Sequence, residues 1–120
     1  MTGDAGQFRN LIAWQKSYTL TLLVYRHTKE FPPDERYGLT QQLRRAAASV
    51  PSNIAEGWGR GSRNDYVRFL CITRGSLYEL DTQLNLARDL HILKSADDLF
   101  ELLNETQRVL NGLIRSLQSE

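Results

Sequence analysis

The chain has 120 residues, enough for one domain that buries roughly two-thirds of its unfolded surface, so a modest core forms without staples. Its single cysteine, Cys71, excludes an internal disulfide and leaves no metal-ligand cluster, and no apolar run approaches the roughly 20 residues of a membrane span. The net charge of +1 hides a split: residues 1–35 balance, residues 36–74 carry seven arginines against Glu56 and Asp65 (+5), and residues 75–120 carry four basic and eight acidic residues (−4).

The opening MTGDAGQFRN is polar, with no apolar stretch of the kind a signal peptide needs. Residues 1–7 are expected to be disordered and residues 8–120 to form one domain of a soluble, cytoplasmic protein. From residue 11 to 29, Leu11, Trp14, Tyr18, Leu22 and Tyr25 recur at three- and four-residue spacing, one face of a helix. Core packing is the default expectation for those aromatics. Leu20, Leu23 and Val24 widen the stripe, so cover on more than one side is expected. The helix should end before Phe31-Pro32-Pro33, because proline disfavours helix in the residue before it.

A second helix is expected from about Tyr37, with Leu39, Leu43, Ala46/Ala47, Val50 and Ile54 on its apolar face. Pro51 falls inside this rhythm without interrupting it. A helix-interior proline removes one backbone bond and crowds the carbonyl four residues back, here Ala47, at about 3 kcal/mol or a kink. The reading adopted is a bend within the helix; the alternative is a stop at Val50. The glycines of Gly57-Trp58-Gly59-Arg60-Gly61 mark the helix end.

Ser62 with Asp65, and Ser95 with Asp98, are S-x-x-D start signals for two further helices. The third carries Tyr66, Leu70, Thr73, Leu77, Leu80, Leu84 and Ala87 to about Leu90, roughly 39 Å of helix. The fourth carries Leu99, Leu103, Thr106, Leu110, Leu113 and Leu117, a near-heptad seam. No alternating run is long enough for a strand. The expected fold is all-α, an antiparallel up-down-up-down four-helix bundle with turns near 30–36, 57–63 and 91–95.

Chemistry is sparse. Gly57-x-Gly59-x-Gly61-Ser62 precedes a helix start, where amides attract anions, but it lacks the Lys-Ser/Thr of a P-loop and follows a helix, not a strand. Ser49, Asn53, Glu56 and Arg60 share one face of the second helix. They read as an exposed line with a Glu56–Arg60 pair, as an interface in which an arginine such as Arg74 holds Glu56, or as a catalytic carboxylate. His27 and His91 have no acid–serine or cysteine partner nearby. His27 reads as a surface residue, and His91 stands where a helix-capping glycine is expected. Cys71 reads as a buried thiol. Nothing assembles into a nucleophile–base–orienter set, so no enzyme activity, metal or cofactor is expected. Trp58 lies off the core stripe, either buried against the bundle end or exposed as an interface anchor or base-stacking platform.

The run YGLTQQLRRAAASVPSNIAEGWGRGS, with DYVRFLCITRGSLYELDTQLNLARDL after it, resembles the four-helix-bundle family first noticed as open reading frames in intervening sequences of bacterial large-subunit rRNA genes. The accessory variability protein of diversity-generating retroelements resembles the same family. The likeness spans about residues 8–118 and is most specific over Leu39–Gly57 and Gly75–Leu84. It implies a helical Pro51, a homopentameric ring and no enzyme activity; its retroelement members bind nucleic acid and a reverse transcriptase. This chain departs from them in His91, where members often carry glycine, and in its near-neutral charge.

Two functions follow. One is a structural or protein-interaction scaffold, in which a basic surface on helices two and three meets an acidic surface on helix four (Asp97, Asp98, Glu101, Glu105). The other is an RNA- or DNA-binding accessory protein with Arg44, Arg45, Arg60, Arg63 and Arg68 on phosphates. The partners expected are further copies of the chain, RNA or DNA, or another protein, with no membrane.

Overall fold

The computed structural model describes residues 7–119. The expected disordered segment lies outside them, save for Gln7, which is extended. The described residues form four α-helices and no strands: α1 Ile12–Thr28, α2 Leu39–Gly59, α3 Arg63–Asp89 and α4 Asp97–Gln118. Short 3-10 turns, Phe8–Asn10 and Pro33–Glu35, precede α1 and α2. Each helix packs against the next, and α4 closes on α1. Side-chain bonds across the seams link Thr21 to Ala47 and Thr28 to Arg44 (α1 with α2), and Arg74 to Asn111 and Asp81 to Gln107 (α3 with α4). On each seam, higher numbers on one helix meet lower numbers on the other.

The core is aliphatic. Leu43, Leu70, Leu77, Leu80, Leu84, Leu99 and Leu103 are fully buried, each contributing about 1.5–3 kcal/mol by leaving water. On α4 the buried series is Leu99, Leu103, Thr106, Leu110 and Ile114; it follows the 3.6-residue turn, which leaves Leu113 and Leu117 half-buried.

α1 corrects the sequence reading. Its buried face is Ala13, Ser17, Leu20, Val24 and Thr28, whereas the aromatic stripe Tyr18, Leu22 and Tyr25 is exposed. Ser17 and Thr28 are tolerated inside because their hydroxyls donate to carbonyls of their own helix, Trp14 O at 2.9 Å and Val24 O at 2.8 Å.

Pro51 is buried inside a continuous α2. Proline cannot donate to Ala47 O, and Thr21 Oγ1 of α1 reaches that carbonyl at 3.0 Å, sharing its proton with Ser17 O at 2.8 Å. The helix does not stop at Gly57. That residue is buried, and a Cβ on it would stand 2.5 Å from Phe69 Cβ, so it permits close approach of α2 and α3. The turn begins at Arg60, and Gly61 takes the left-handed conformation at φ 86°.

Ser62 caps α3, its Oγ accepting from Asp65 N at 3.1 Å. The equivalent expectation for α4 fails. Ala96 is the N-cap, Ser95 sits at φ 51°, and Asp98 Oδ1 accepts instead from Leu99 N. α3 ends in a Schellman motif: Ile92 N donates to Ala87 O at 2.9 Å and His91 N to Arg88 O at 3.0 Å. His91 occupies its left-handed position at φ 62°, where glycine is usual.

Candidate functional site

The polar line on α2 is occupied locally. Ser49 Oγ donates to Ala46 O at 2.7 Å, Asn53 Nδ2 to Ser49 O at 2.8 Å, and Glu56 pairs with Arg60 at 3.1 Å with both side chains about half exposed. Arg74 does not reach Glu56; its Nη1 lies 3.5 Å from Asn111 Oδ1 on α4. Within one chain these residues share a face without forming a working set.

The arginines separate into two groups. From position 44 to position 60, α2 rises roughly 24 Å. At its far end Arg60 and Arg68 flank the Phe69 ring at 5.0 and 4.9 Å and face Glu56 and Asp65; Arg63 is exposed in the first turn of α3. At the near end Arg44 donates through Nε to Thr28 Oγ1 at 2.8 Å and lies over the Tyr25 ring at 4.7 Å, while Arg45 is exposed. Beside this second group stand Arg36 and Tyr37, which a reading of the connection as a plain turn passes over. Both lie in the turn before α2, so helical spacing from Arg44 and Arg45 does not reach them and only the folded chain groups them.

The acidic surface of α4 is partly engaged inside the chain. Lys16 bonds Glu105, and this hydrogen bond and the ammonium charge hold the Glu105 carboxyl below its ordinary range. His27 Nε2 lies 3.1 Å from Asp98 Oδ1, so His27 bridges α1 to α4. Asp97 and Glu101 remain exposed.

Trp58 is half-buried, edge-on to Tyr66 at 5.6 Å, and packs on the core. The Tyr66 hydroxyl is buried with no partner among the described residues, and desolvation pushes its pKa up to about 12. Cys71 is half-buried with Arg74 Nη2 3.8 Å from its sulfur. Among the described residues no group of three or more His, Cys, Asp or Glu could hold a metal ion, and no helix is long and apolar enough to cross a membrane.

Two apolar surfaces stand outside the core. Trp14 stacks on Tyr18 at 4.9 Å, and with Phe8, Leu22, Pro51 and Ala55 they line a groove of 380 Å³ between α1 and α2. On α3 and its C-cap, Ile72, Tyr78, Leu86 and Leu90 are 46–62% exposed, and Gly75 sits among them with nothing among the described residues within 4 Å of where its Cβ would be.

No curated protein shows a significant match to the chain. The family model described as "23S rRNA-intervening sequence protein" matches residues 9–112, which takes in all of α1, α2 and α3 and most of α4. With the match covering most of its length, the chain belongs to the 23S rRNA-intervening sequence protein family.

Proposed function

We propose that the chain is a non-enzymatic scaffold, an antiparallel up-down-up-down bundle that joins further copies of itself into a homopentameric ring. The observation that carries this is the pair of apolar faces on α1 and α3, helices that are not neighbours in the bundle. Two different faces on one chain suit a heterologous contact, in which one surface meets another on the next copy and the series closes. Gly75 supports it from a second direction. A glycine inside a helix costs about 1 kcal/mol relative to alanine. None of the described residues needs the space at Gly75, whereas a second helix backbone laid against Ile72 and Leu86 would.

Charge adds one feature: Glu79 is exposed beside the α3 strip, and Arg26 is exposed one turn beyond Leu22 of the α1–α2 groove. The α4 contact expected from sequence is weaker, because Asp98 and Glu105 already have partners within the chain. An extended nucleic-acid track along α2 and α3 is also weaker, because Arg60 and Arg68 already face carboxylates.

Native mass spectrometry tests the reading. Five chains of 13.8 kDa are expected for the wild type, and a single chain with unchanged helical circular dichroism for Ile72→Glu/Leu86→Glu. A monomeric wild type ends the scaffold proposal; a different closed number ends the pentamer alone.

A further inference from the structure

The end of α1, the connection and the start of α2 enclose a depression of 410 Å³, within the roughly 300–1,000 Å³ of small-ligand sites. Tyr25, Arg36, Tyr37, Thr40, Arg44 and Arg45 line it, and no carboxylate does. Arg60, Arg68 and Arg88, by contrast, each have a carboxylate oxygen at 3.1–3.5 Å. The nearest acid in sequence, Glu35, is turned to the helix start, where its Oε1 accepts from Leu39 N at 3.2 Å.

The three guanidinium groups are not equivalent. Arg44 is held in place by the Thr28 hydroxyl, by Tyr25 O at 3.4 Å and by the Tyr25 ring. These bonds engage two of its nitrogens and leave further N–H donors for a ligand. The guanidinium groups of Arg36 and Arg45 have no polar partner among the described residues. The depression thus offers one fixed and two adjustable bidentate donors, the arrangement suited to a phosphate group.

Tyr37 adds a second requirement. It is 82% exposed, the most exposed large apolar side chain among the described residues, and it contributes nothing to the core. A tyrosine ring held in water beside unpaired arginines is a surface on which a planar ring stacks.

We propose that this cradle binds a nucleotide unit, its phosphate held by Arg36, Arg44 and Arg45 and its base stacked on Tyr37. A carboxylate or bare phosphate would satisfy the arginines and leave Tyr37 unused; a nucleoside would do the reverse. The unit can come from a free nucleoside monophosphate or from a single-stranded nucleic acid, and the chemistry at the cradle is the same for both.

Isothermal titration calorimetry on the wild-type protein, with its native mass recorded in the same buffer, tests this at 50 and 200 mM salt. The probes are adenosine 5′-monophosphate, ribose 5-phosphate, inorganic phosphate, adenosine and a single-stranded tetranucleotide. The monophosphate is expected to bind about tenfold or more tightly than ribose 5-phosphate, the contribution of one stacked base, and to weaken as salt rises. Tyr37→Ala should reduce monophosphate affinity to that of ribose 5-phosphate, and Arg45→Ala should weaken both by about tenfold. Arg115→Ala, an exposed position on α4, should change neither. A tetranucleotide more than tenfold tighter than the monophosphate assigns the cradle to a strand; equal affinity assigns it to the free nucleotide. The proposal is overturned by no binding, by inorganic phosphate binding as tightly as the monophosphate, or by binding that Tyr37→Ala and Arg45→Ala leave intact. The native mass keeps this result separate from the assembly proposal, since a monomer that binds, or a pentamer that does not, decides one and not the other.

Discussion

The hydroxyl of Thr21 on α1 stands 3.0 Å from the carbonyl oxygen of Ala47 on α2, the one carbonyl that Pro51 leaves without its helical donor. One side chain thereby offsets a proline in the middle of a neighbouring helix. Thr21→Val is expected to lose about 1–2 kcal/mol, the cost of a buried acceptor left unmade. In a Pro51→Ala background the alanine N–H restores the helical bond, and the same change should cost less than about 0.5 kcal/mol. Urea denaturation of all four proteins gives the coupling; simple additivity would show that Ala47 O does not depend on Thr21.

Gly57 and Phe69 set how closely α2 approaches α3. Alanine at position 57 would place its Cβ 2.5 Å from Phe69 Cβ, a stiff part of that side chain, so the helices must separate. Gly57→Ala is expected to destabilise by about 1–3 kcal/mol, the usual cost of overpacking. Gly59→Ala serves as the control, since nothing lies within 4 Å of that position. Its urea midpoint should be unchanged or slightly raised.

His91 holds a left-handed conformation at φ 62° in the Schellman turn after α3. Glycine adopts that region without a Cβ clash, but loses more freedom on folding. His91→Gly should therefore gain a net of about 0.5–1 kcal/mol. His91→Ala should gain nothing, because its Cβ meets the same clash. Equal urea midpoints for the two variants would rule out backbone conformation as the cause.

Tyr66 buries a hydroxyl with no partner among the described residues, and desolvation raises its pKa from 10.0 to about 12. Between those values the unfolded chain has lost the phenolic proton that the folded chain keeps. Stability from this group is complete below pH 10 and falls as pH rises toward 12. Tyr66→Phe should be equal to wild type or up to about 1 kcal/mol more stable at neutral pH. It should also lose part of the alkaline decline, which urea midpoints at pH 8 and pH 11 would register.

The number, order and approximate limits of the helices were legible in the sequence. Each depends on local information: apolar spacing near 3.6, the prolines after Phe31, and Ser62 three residues before Asp65. Pro51 inside α2 was legible for the same reason, since the apolar rhythm continues through it to Ile54. The arginines and the Ser49–Asn53–Glu56 line were visible as residue types, but their partners were not. Whether Glu56 meets Arg60 or Arg74 depends on which helix lies opposite.

What only the tertiary structure decided is which surfaces face inward. On α1 the aromatic stripe, Tyr18, Leu22 and Tyr25, faces out, and Ser17 and Thr28 face in beside Leu20 and Val24. Spacing alone does not rank the two stripes, and a hydroxyl is tolerated inside because it bonds its own helix. Small residues escape the same reading. Gly57 looks like a helix stop in sequence, yet it lies within α2 where Phe69 crosses closest, and α4 starts at Asp97 because Ser95 takes a left-handed turn. Periodicity is a property of one helix, whereas burial, close approach and the grouping of Arg36 and Tyr37 with Arg44 and Arg45 are properties of helices brought together.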